Sequence, residues 1–138
     1  MINKNYLKLL RSKERSQQNN FIYEVIAKRI VDSIDLLNMK FEKVLEIGVN
    51  ENIISDYLYN KFNKINIDRA DIFKSKSNIS SKDNFLEMDF NMFNFKKDYY
   101  NLIYSNCFLY LIENFENSLK LILQNLKNNG FFITAIPD

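Results

Sequence analysis

Residues 44–52 have the sequence VLEIGVNEN, and this stretch decides the fold. A short apolar run ends in an acidic residue and a glycine, a polar turn follows, and apolar residues then recur at helical spacing from Ile53 to Leu58. The pattern predicts a strand, a loop and the start of a helix. It is typical of the opening of a βαβ unit, in which the loop after the strand borders the crevice where open α/β sheets bind ligands. We therefore expect the functional site around Gly48.

The rest of the chain alternates predicted helices and strands. A helix over 20–37 precedes the first strand, with Asn20 as its N-cap and Ile22, Ile26, Ile30 and Ile34 at four-residue spacing. Strands are predicted at 43–47, 64–70, 84–88, 101–106 and 131–136, and further helices at 53–62 and from 113 or 114 to 126. The last of these helices carries an apolar face that includes Leu123 and Leu126, and we expect 127–130 to close it.

Two segments lack a clear periodicity of apolar residues. Residues 74–82 are rich in Ser, Lys and Asn and predict a weak helix or a loop, and the aromatic stretch 90–100 predicts a loop. Alternating strands and helices predict an α/β fold: a Rossmann-like, doubly wound, mainly parallel sheet of about five strands, preceded by helix. We expect one domain over 1–138, with a helical segment at 1–40 and an α/β core at 41–138.

The composition excludes several classes of site. The chain has no histidine and one cysteine, which excludes histidine triads, histidine metal ligands, an internal disulfide and a cysteine-rich metal site. We expect Cys107 to be a small buried apolar residue rather than a reactive thiol. Without a long apolar run or a secretory segment, we expect a soluble, cytoplasmic protein that does not span a membrane. The net charge of +2 is close to balance and does not imply a polyanion partner.

The first fifteen residues form a basic arm with a single acid, Glu14. A basic amphipathic arm is compatible with RNA, a membrane surface, a protein partner or a transit segment. The simpler expectation is a solvated helix that lies on the domain. Nucleic acid is disfavoured as a partner because the chain shows no stacking-aromatic motif and no strongly basic domain.

The order and spacing of these pieces resemble the class I S-adenosylmethionine-dependent methyltransferases. Residues 45–52 stand where that family has an acidic residue followed by Gly-x-Gly-x-Gly. The likeness is strongest to the branch that contains the malonyl-carrier-protein methyltransferase of biotin synthesis and the methyltransferase-like assembly factor of respiratory complex I. Residues 100–106 (YNLIYSN) resemble its "FDLVxSN" strand, and 126–132 (LKNNGFF) resemble its "LKPGGxF" segment.

The resemblance implies S-adenosylmethionine as cofactor and a role for several residues. Glu46 would face the amino end of the cofactor through water, and Gly48 would let the backbone pass close to its methionine part. Asp71 would hold the ribose hydroxyls, at a distance from Gly48 that agrees with the roughly twenty residues usual for that role. Asp68 is the alternative if the second strand ends earlier. Both Glu46 and Asp71 are also compatible with solvated acids at strand ends.

Further positions follow from the same resemblance. Asp89 would accept a hydrogen bond from the adenine amino group, or it caps a turn. Ser105, Asn106 and Cys107 would line the methyl-transfer side at the end of the fourth strand. No catalytic residue is assigned. The lack of histidine does not exclude methyl transfer, because a carboxylate acceptor would need no general base.

The chain also departs from the family. Asn50 and Asn52 replace the second and third glycines, and the carboxamide of Asn50 would point into space that the family leaves for the methionine end of the cofactor. We therefore expect weak or lost cofactor binding. Asn101 replaces an acidic residue before the fourth strand. The family also continues past its fifth strand, so we expect a truncated chain whose apolar edge at 131–133 binds a protein partner or a second copy.

Two functions are compatible with these features. The first is methyl transfer from S-adenosylmethionine to an unidentified acceptor, a carboxylate, another small molecule or a protein. The alternative is a non-catalytic remnant or assembly-type protein that keeps the fold.

Overall fold

The computed structural model describes residues 21–72, 82–88, 96–107, 109 and 115–136. Its elements in chain order are α1 (Phe21–Leu37), β1 (Lys43–Ile47), α2 (Ile53–Lys61), β2 (Asn66–Asp71), β3 (Asn84–Glu87), β4 (Tyr100–Asn106), α3 (Phe115–Gln124) and β5 (Leu126–Ala135). The strands form one parallel sheet in the order β3-β2-β1-β4-β5. This confirms the predicted fold class. Among the described helices, none is long and apolar enough to cross a membrane.

Two hydrophobic cores cover the two faces of the sheet. Successive side chains of a strand point to opposite faces, so Val44 belongs to one core and Leu45 to the other. On the first face, α1 and α2 pack against β1, β2 and β4 through Ala27, Ile30, Ile34, Ile54 and Leu58. On the second face, Ile122 of α3 is buried with Leu45, Ile47, Ala70 and Ile103.

The strand order places β1 at the centre and makes the site position predictable. The chain runs outward from β1 to β2 and β3 on one side, and β4 and β5 lie on the other. The carboxyl ends of β1 and β4 therefore meet where the direction of winding reverses, which is where open α/β sheets bind ligands.

The helix faces differ in part from the predicted ones. Ile30 and Ile34 are buried, but Ile22 in the first turn of α1 is 58% exposed, so the core-facing row begins later than its spacing suggested. In α3 the prediction for Leu123 was wrong, because Leu123 is 44% exposed whereas the adjacent Ile122 is buried. Asn20 and residues 74–81 and 89–95 lie outside the described residues.

Asn125 explains why α3 ends earlier than predicted. Its side-chain amide donates to the Leu121 carbonyl at 2.8 Å, and its Oδ1 accepts from the Lys96 N–H at 2.7 Å. Its backbone carbonyl also accepts the N–H groups of Tyr99 and Tyr100. The end of the helix is therefore fixed by contacts with the segment before β4, which the local sequence does not reveal.

β5 begins at Leu126 rather than at Phe131, and residues 127–130 form a bulge within it. Leu126 pairs with Tyr100 and Phe131 with Leu102, so the bulged strand carries extra residues against β4. Asn129 has φ 69°. A Cβ atom at Gly130 would lie 2.9 Å from the backbone carbonyl oxygen of Lys127, so this close approach favours glycine.

Asn101 connects β4 to the start of β1. Its Oδ1 accepts the N–H groups of Glu42 and Lys43 at 3.2 and 3.1 Å. Asn101 therefore contributes an acceptor at the entrance of the central strand.

We expect Asn101→Ala to lower the free energy of unfolding by about 1–2 kcal/mol, because two backbone donors lose their acceptor. The matched variant Asn101→Asp retains an acceptor oxygen and is expected to stay near wild type. Urea denaturation followed by circular dichroism measures both. Equal losses in the two variants would show that the acceptor does not carry the effect.

Candidate functional site

The turn after β1 is built on Gly48. Its φ is 85°, a conformation that glycine adopts without steric cost, and its N–H donates to the Ala70 carbonyl of β2 at 2.7 Å. The backbone thus leaves β1 sharply while it remains attached to the neighbouring strand.

Asp71 lies directly beside this turn. Its Oδ2 accepts the Val49 N–H at 2.8 Å and its Oδ1 accepts the Ile72 N–H at 2.7 Å, and the residue is fully buried. β2 ends at Asp71. Asp68 lies three residues earlier in the strand and is therefore not at the carboxyl edge of the sheet. Its carboxylate accepts a hydrogen bond from the Tyr100 hydroxyl at 2.6 Å.

The end of β4 closes the other side of the turn. Ser105 Oγ donates to the Ile47 carbonyl at 2.9 Å, and Asn50 Nδ2 donates to the Asn106 carbonyl at 2.7 Å. The Asn50 side chain therefore bridges the turn and β4. Cys107, which follows, is buried as predicted, and burial raises the pKa of its thiol.

Glu46 is paired with a cation that the sequence did not predict as its partner. Its two carboxylate oxygens accept from Arg69 Nη2 at 3.0 Å and Nε at 3.1 Å, and Tyr104 donates its hydroxyl to the same carboxylate. The three residues are register partners across β2, β1 and β4. They form a buried polar row on the sheet face that α1 and α2 cover.

Arg69 also holds the exit of the turn. Its Nη2 donates to the Glu51 carbonyl and its Nη1 to Asn52 Oδ1, each at 2.8 Å. Nη1 further donates to Asp83 Oδ2 at 3.0 Å. The guanidinium thus connects β1, β2, the turn and the residue just before β3.

Arg69 was not predicted from the sequence as the partner of Glu46, because this contact depends on the register between β1 and β2. The residue lies in the polar segment NIDRAD, and only the pairing of β1 with β2 places it opposite Glu46. A basic residue on the apolar face of a predicted central strand is the signal that points to a buried carboxylate partner.

Glu51 and Asn106 form a second polar pair next to the turn. Glu51 Oε2 accepts the N–H groups of Ile53 and Ile54 at 2.5 and 3.2 Å and so satisfies donors at the start of α2. Asn106 Nδ2 donates to the Tyr23 carbonyl at 2.9 Å and lies 3.4 Å from Glu51 Oε1. Asn106 Oδ1 is buried and has no hydrogen-bond partner.

The structure therefore brings five of the six sequence-predicted site residues to one edge of the sheet. Glu46, Gly48 and Asn50 lie on β1 and its turn, Asp71 at the end of β2, and Ser105 at the end of β4. The sixth, Asp89, lies outside the described residues. Their roles stay predictions, since these contacts are all within the chain.

Burial decides the protonation of Glu46. Desolvation raises the pKa of its carboxyl to about 7, against the attraction of Arg69 and the hydrogen bonds from Arg69 and Tyr104, which lower it. Burial also raises the pKa of Tyr104 well above its usual range, so this hydroxyl stays a donor. A carboxyl whose pKa is raised by folding binds its proton more tightly in the folded chain, so stability is lost as the pH rises towards 7.

We expect the free energy of unfolding to fall between about pH 5 and 7, by at most roughly 1.4 kcal/mol per pH unit from this group. Glu46→Gln should flatten the slope, because the titrating carboxyl is gone. Denaturation curves at several pH values measure it, with Glu116→Gln, at an exposed position of α3, as the matched control. An unchanged slope in Glu46→Gln would contradict the assignment.

Comparison with known proteins agrees with this architecture. A family model described as "Methyltransferase domain" matches residues 45–134, well over half of the chain. The chain therefore belongs to the methyltransferase domain family. No curated protein matches the sequence significantly.

Solved structures share the fold at low sequence identity. The plantazolicin methyltransferase BpumL, solved with a desmethylplantazolicin analogue and S-adenosylhomocysteine, has a TM-score of 0.67 and 19% identity, covering 91% of this chain and 51% of its own. The Burkholderia thailandensis 1,6-didemethyltoxoflavin-N1-methyltransferase has a TM-score of 0.68 and 14% identity, covering 96% and 64%. A protein assigned as a methyltransferase, in complex with the Haloferax volcanii Trm112 activator, has a TM-score of 0.60 and 19% identity, covering 70% and 46%.

These likenesses define the fold as that of S-adenosylmethionine-dependent methyltransferases. The chain spans 46% to 64% of the length of these three structures.

Proposed function

We propose that this chain binds S-adenosylmethionine at the carboxyl ends of β1, β2 and β4 and transfers its methyl group to an acceptor. The observation that carries the proposal is the contact between the Gly48 turn and Asp71, in which Asp71 Oδ2 accepts the Val49 N–H at 2.8 Å. A sharp glycine turn beside an acid at the end of the adjacent strand is the arrangement that nucleoside-binding α/β folds use. The family match covers both residues.

The donors and acceptors at this edge fit such a ligand. Asp71 would hold the ribose hydroxyls, and Gly48 would allow close approach of the methionine part. Asn106 Oδ1 is a buried acceptor without a partner, which suits a ligand that brings an N–H donor. Two contacts oppose tight binding: Asp71 is fully buried against the turn, and the Asn50 side chain bridges to β4. We therefore infer weak affinity.

When bound, S-adenosylmethionine supplies an electrophilic methyl group. The chain's own contribution is to hold and orient the two reactants and to exclude water. Ser105 already donates its hydroxyl to a backbone carbonyl, and burial raises the pKa of the Cys107 thiol. Neither is placed as a general base, which favours an acceptor that needs none, such as a carboxylate. The resemblance to the malonyl-carrier-protein branch supports the same acceptor class.

Asn50→Gly is expected to strengthen binding of S-adenosylhomocysteine about tenfold, because it removes the bridge to β4 that stands in the place of the second motif glycine. Isothermal titration calorimetry measures the affinity. Asn38→Gly is the matched control: Asn38 also has a positive φ, of 49°, but it lies at the end of α1, away from the turn. Equal affinities for wild type and Asn50→Gly would show that the bridge does not restrict the site.

The alternative, a non-catalytic remnant, makes a different prediction in the same titration. A folded wild-type chain that binds neither S-adenosylmethionine nor its demethylated product, while Asn50→Gly binds, would favour the remnant. Absence of binding in both would refute the cofactor site. The single variant is preferable to one that also replaces Asn52, because Asn52 Oδ1 accepts a hydrogen bond from Arg69.

We also propose that a second copy of the chain pairs with the outer edge of β5. β5 is the last strand of the described sheet, and its residues from Phe131 to Ala135 are only partly buried. The complex of a structurally similar protein with a Trm112 activator shows that a protein of this fold takes a protein partner. A long, apolar, unpaired edge favours pairing with another strand.

Thr134→Pro tests this edge. The Ala135 carbonyl accepts the N–H of Cys107, which follows β4, so the adjacent Thr134 N–H points to the outer edge by alternation. Proline there removes an edge donor and leaves the β4 ladder intact. We expect wild type and the control Thr134→Val to form dimers and Thr134→Pro to be monomeric by analytical ultracentrifugation. A monomeric wild type would refute the proposal.

A further inference from the structure

The carboxylate that the family resemblance assigns to the amino end of the cofactor is already engaged. Glu46 accepts two hydrogen bonds from Arg69 and one from Tyr104, and it is 1% exposed. Burying a charge is costly unless the charge is paired and hydrogen-bonded in this way. A ligand ammonium at Glu46 would have to compete with a guanidinium held in a fixed bidentate geometry.

A different pair of acceptors lies on the other side of the turn. Asn106, at the end of β4, is 2% exposed, and its Oδ1 has no hydrogen-bond partner. A buried carbonyl oxygen without a donor is unfavourable and calls for a specific explanation. A ligand that donates an N–H supplies one.

Glu51 adds negative charge at the same place. Its Oε1 lies 3.4 Å from Asn106 Nδ2, and the residue is 7% exposed. Among the described residues no lysine or arginine forms an ion pair with the Glu51 carboxylate, and the Arg69 contact with Glu51 is to its backbone carbonyl. Burial raises the pKa of this carboxyl, against the hydrogen bonds from Ile53, Ile54 and Asn106 and the charge of Arg69, which lower it.

We propose that Asn106 Oδ1 and the Glu51 carboxylate form a subsite for a ligand ammonium group, the α-amino group of S-adenosylmethionine, in place of Glu46. The inference rests on the proposed function and goes further, because it moves the amino-end contact from β1 to the turn and β4. Two acceptors, one of them ionisable, match an ammonium group, which has only donors.

The alternatives fit less well. A metal ion such as Ca²⁺ takes six to eight oxygen ligands, and the described residues contain no group of three or more acidic, cysteine or histidine side chains that could hold an ion. A water molecule would satisfy Asn106 Oδ1 but would not balance the charge of Glu51. The charge therefore distinguishes an ammonium from a neutral donor.

Paired ligands isolate this contact. S-adenosylhomocysteine carries the ammonium group, N-acetyl-S-adenosylhomocysteine keeps the carboxylate but lacks the ammonium, and 5′-methylthioadenosine lacks the whole amino-acid part. We expect wild type to bind the first at least tenfold more tightly than the second. Glu51→Gln should weaken the first about ten- to a hundredfold, the value of a charge-assisted hydrogen bond, and the second less than threefold.

Glu51→Gln retains an oxygen that can accept the Ile53 and Ile54 N–H groups, so the start of α2 should persist. If it nonetheless unfolds, Asn106→Asp and Asn106→Leu replace it. The aspartate keeps an acceptor and should preserve the preference for the ammonium ligand, while leucine should abolish it. Thermal unfolding with and without ligand reports the same preference independently of activity.

Glu46→Gln serves as the contrasting variant and should change both ligands by the same factor. A selective loss for S-adenosylhomocysteine in Glu46→Gln, or equal losses for both ligands in Glu51→Gln, would overturn the subsite. Wild type that binds 5′-methylthioadenosine as tightly as S-adenosylhomocysteine would also overturn it, while the proposed function would stand. Wild type that binds none of the three ligands would refute the proposed function itself.

Discussion

The guanidinium of Arg69 is buried at the centre of the carboxyl edge, and the arrangement around it depends on its hydrogen bonds. Transfer of a charged group into the interior is costly unless the charge is paired and its donors are satisfied. Arg69 meets both conditions: Glu46 and Asp83 supply opposite charge, and the Glu51 carbonyl and Asn52 Oδ1 accept further hydrogen bonds. Satisfying one side chain thereby places β1, β2 and the turn relative to one another.

This constraint shapes the turn itself. Arg69 binds the Glu51 carbonyl and Asn52 Oδ1 near the end of the turn, and Asp71 of β2 accepts the Val49 N–H near its beginning. The turn begins at a glycine with positive φ, but the next motif positions are asparagines, and one of them uses its side chain to accept from Arg69. The side chains of Asn50 and Asn52 thus give the turn hydrogen bonds that glycine at these positions could not make.

The fold was well predicted because the apolar runs of buried parallel strands and the apolar spacing of helices are visible in the local sequence. The bounds of β1 agree with the prediction, since a short apolar run between a charged residue and a glycine has one simple interpretation. The bulge of β5 and the end of α3 were not predictable in this way. Gly130 is packed against Leu126, and Asn125 is bonded to residues before β4, so both depend on contacts between distant segments. The division of the chain at residue 40, the cytoplasmic location and the expected truncation stay predictions.

In the candidate site, too, local sequence does not predict the contacts of single side chains. Glu46 and Glu51 are five residues apart in one motif, yet their surroundings differ because one lies on a strand and the other in the turn. Strand pairing brings Arg69 opposite Glu46, whereas the turn directs Glu51 towards the start of α2 and the end of β4. A motif specifies which residue types are present at the edge of the sheet. The register of the neighbouring strands decides which of the two carboxylates is neutralised within the chain and which is left to interact with a cationic ligand.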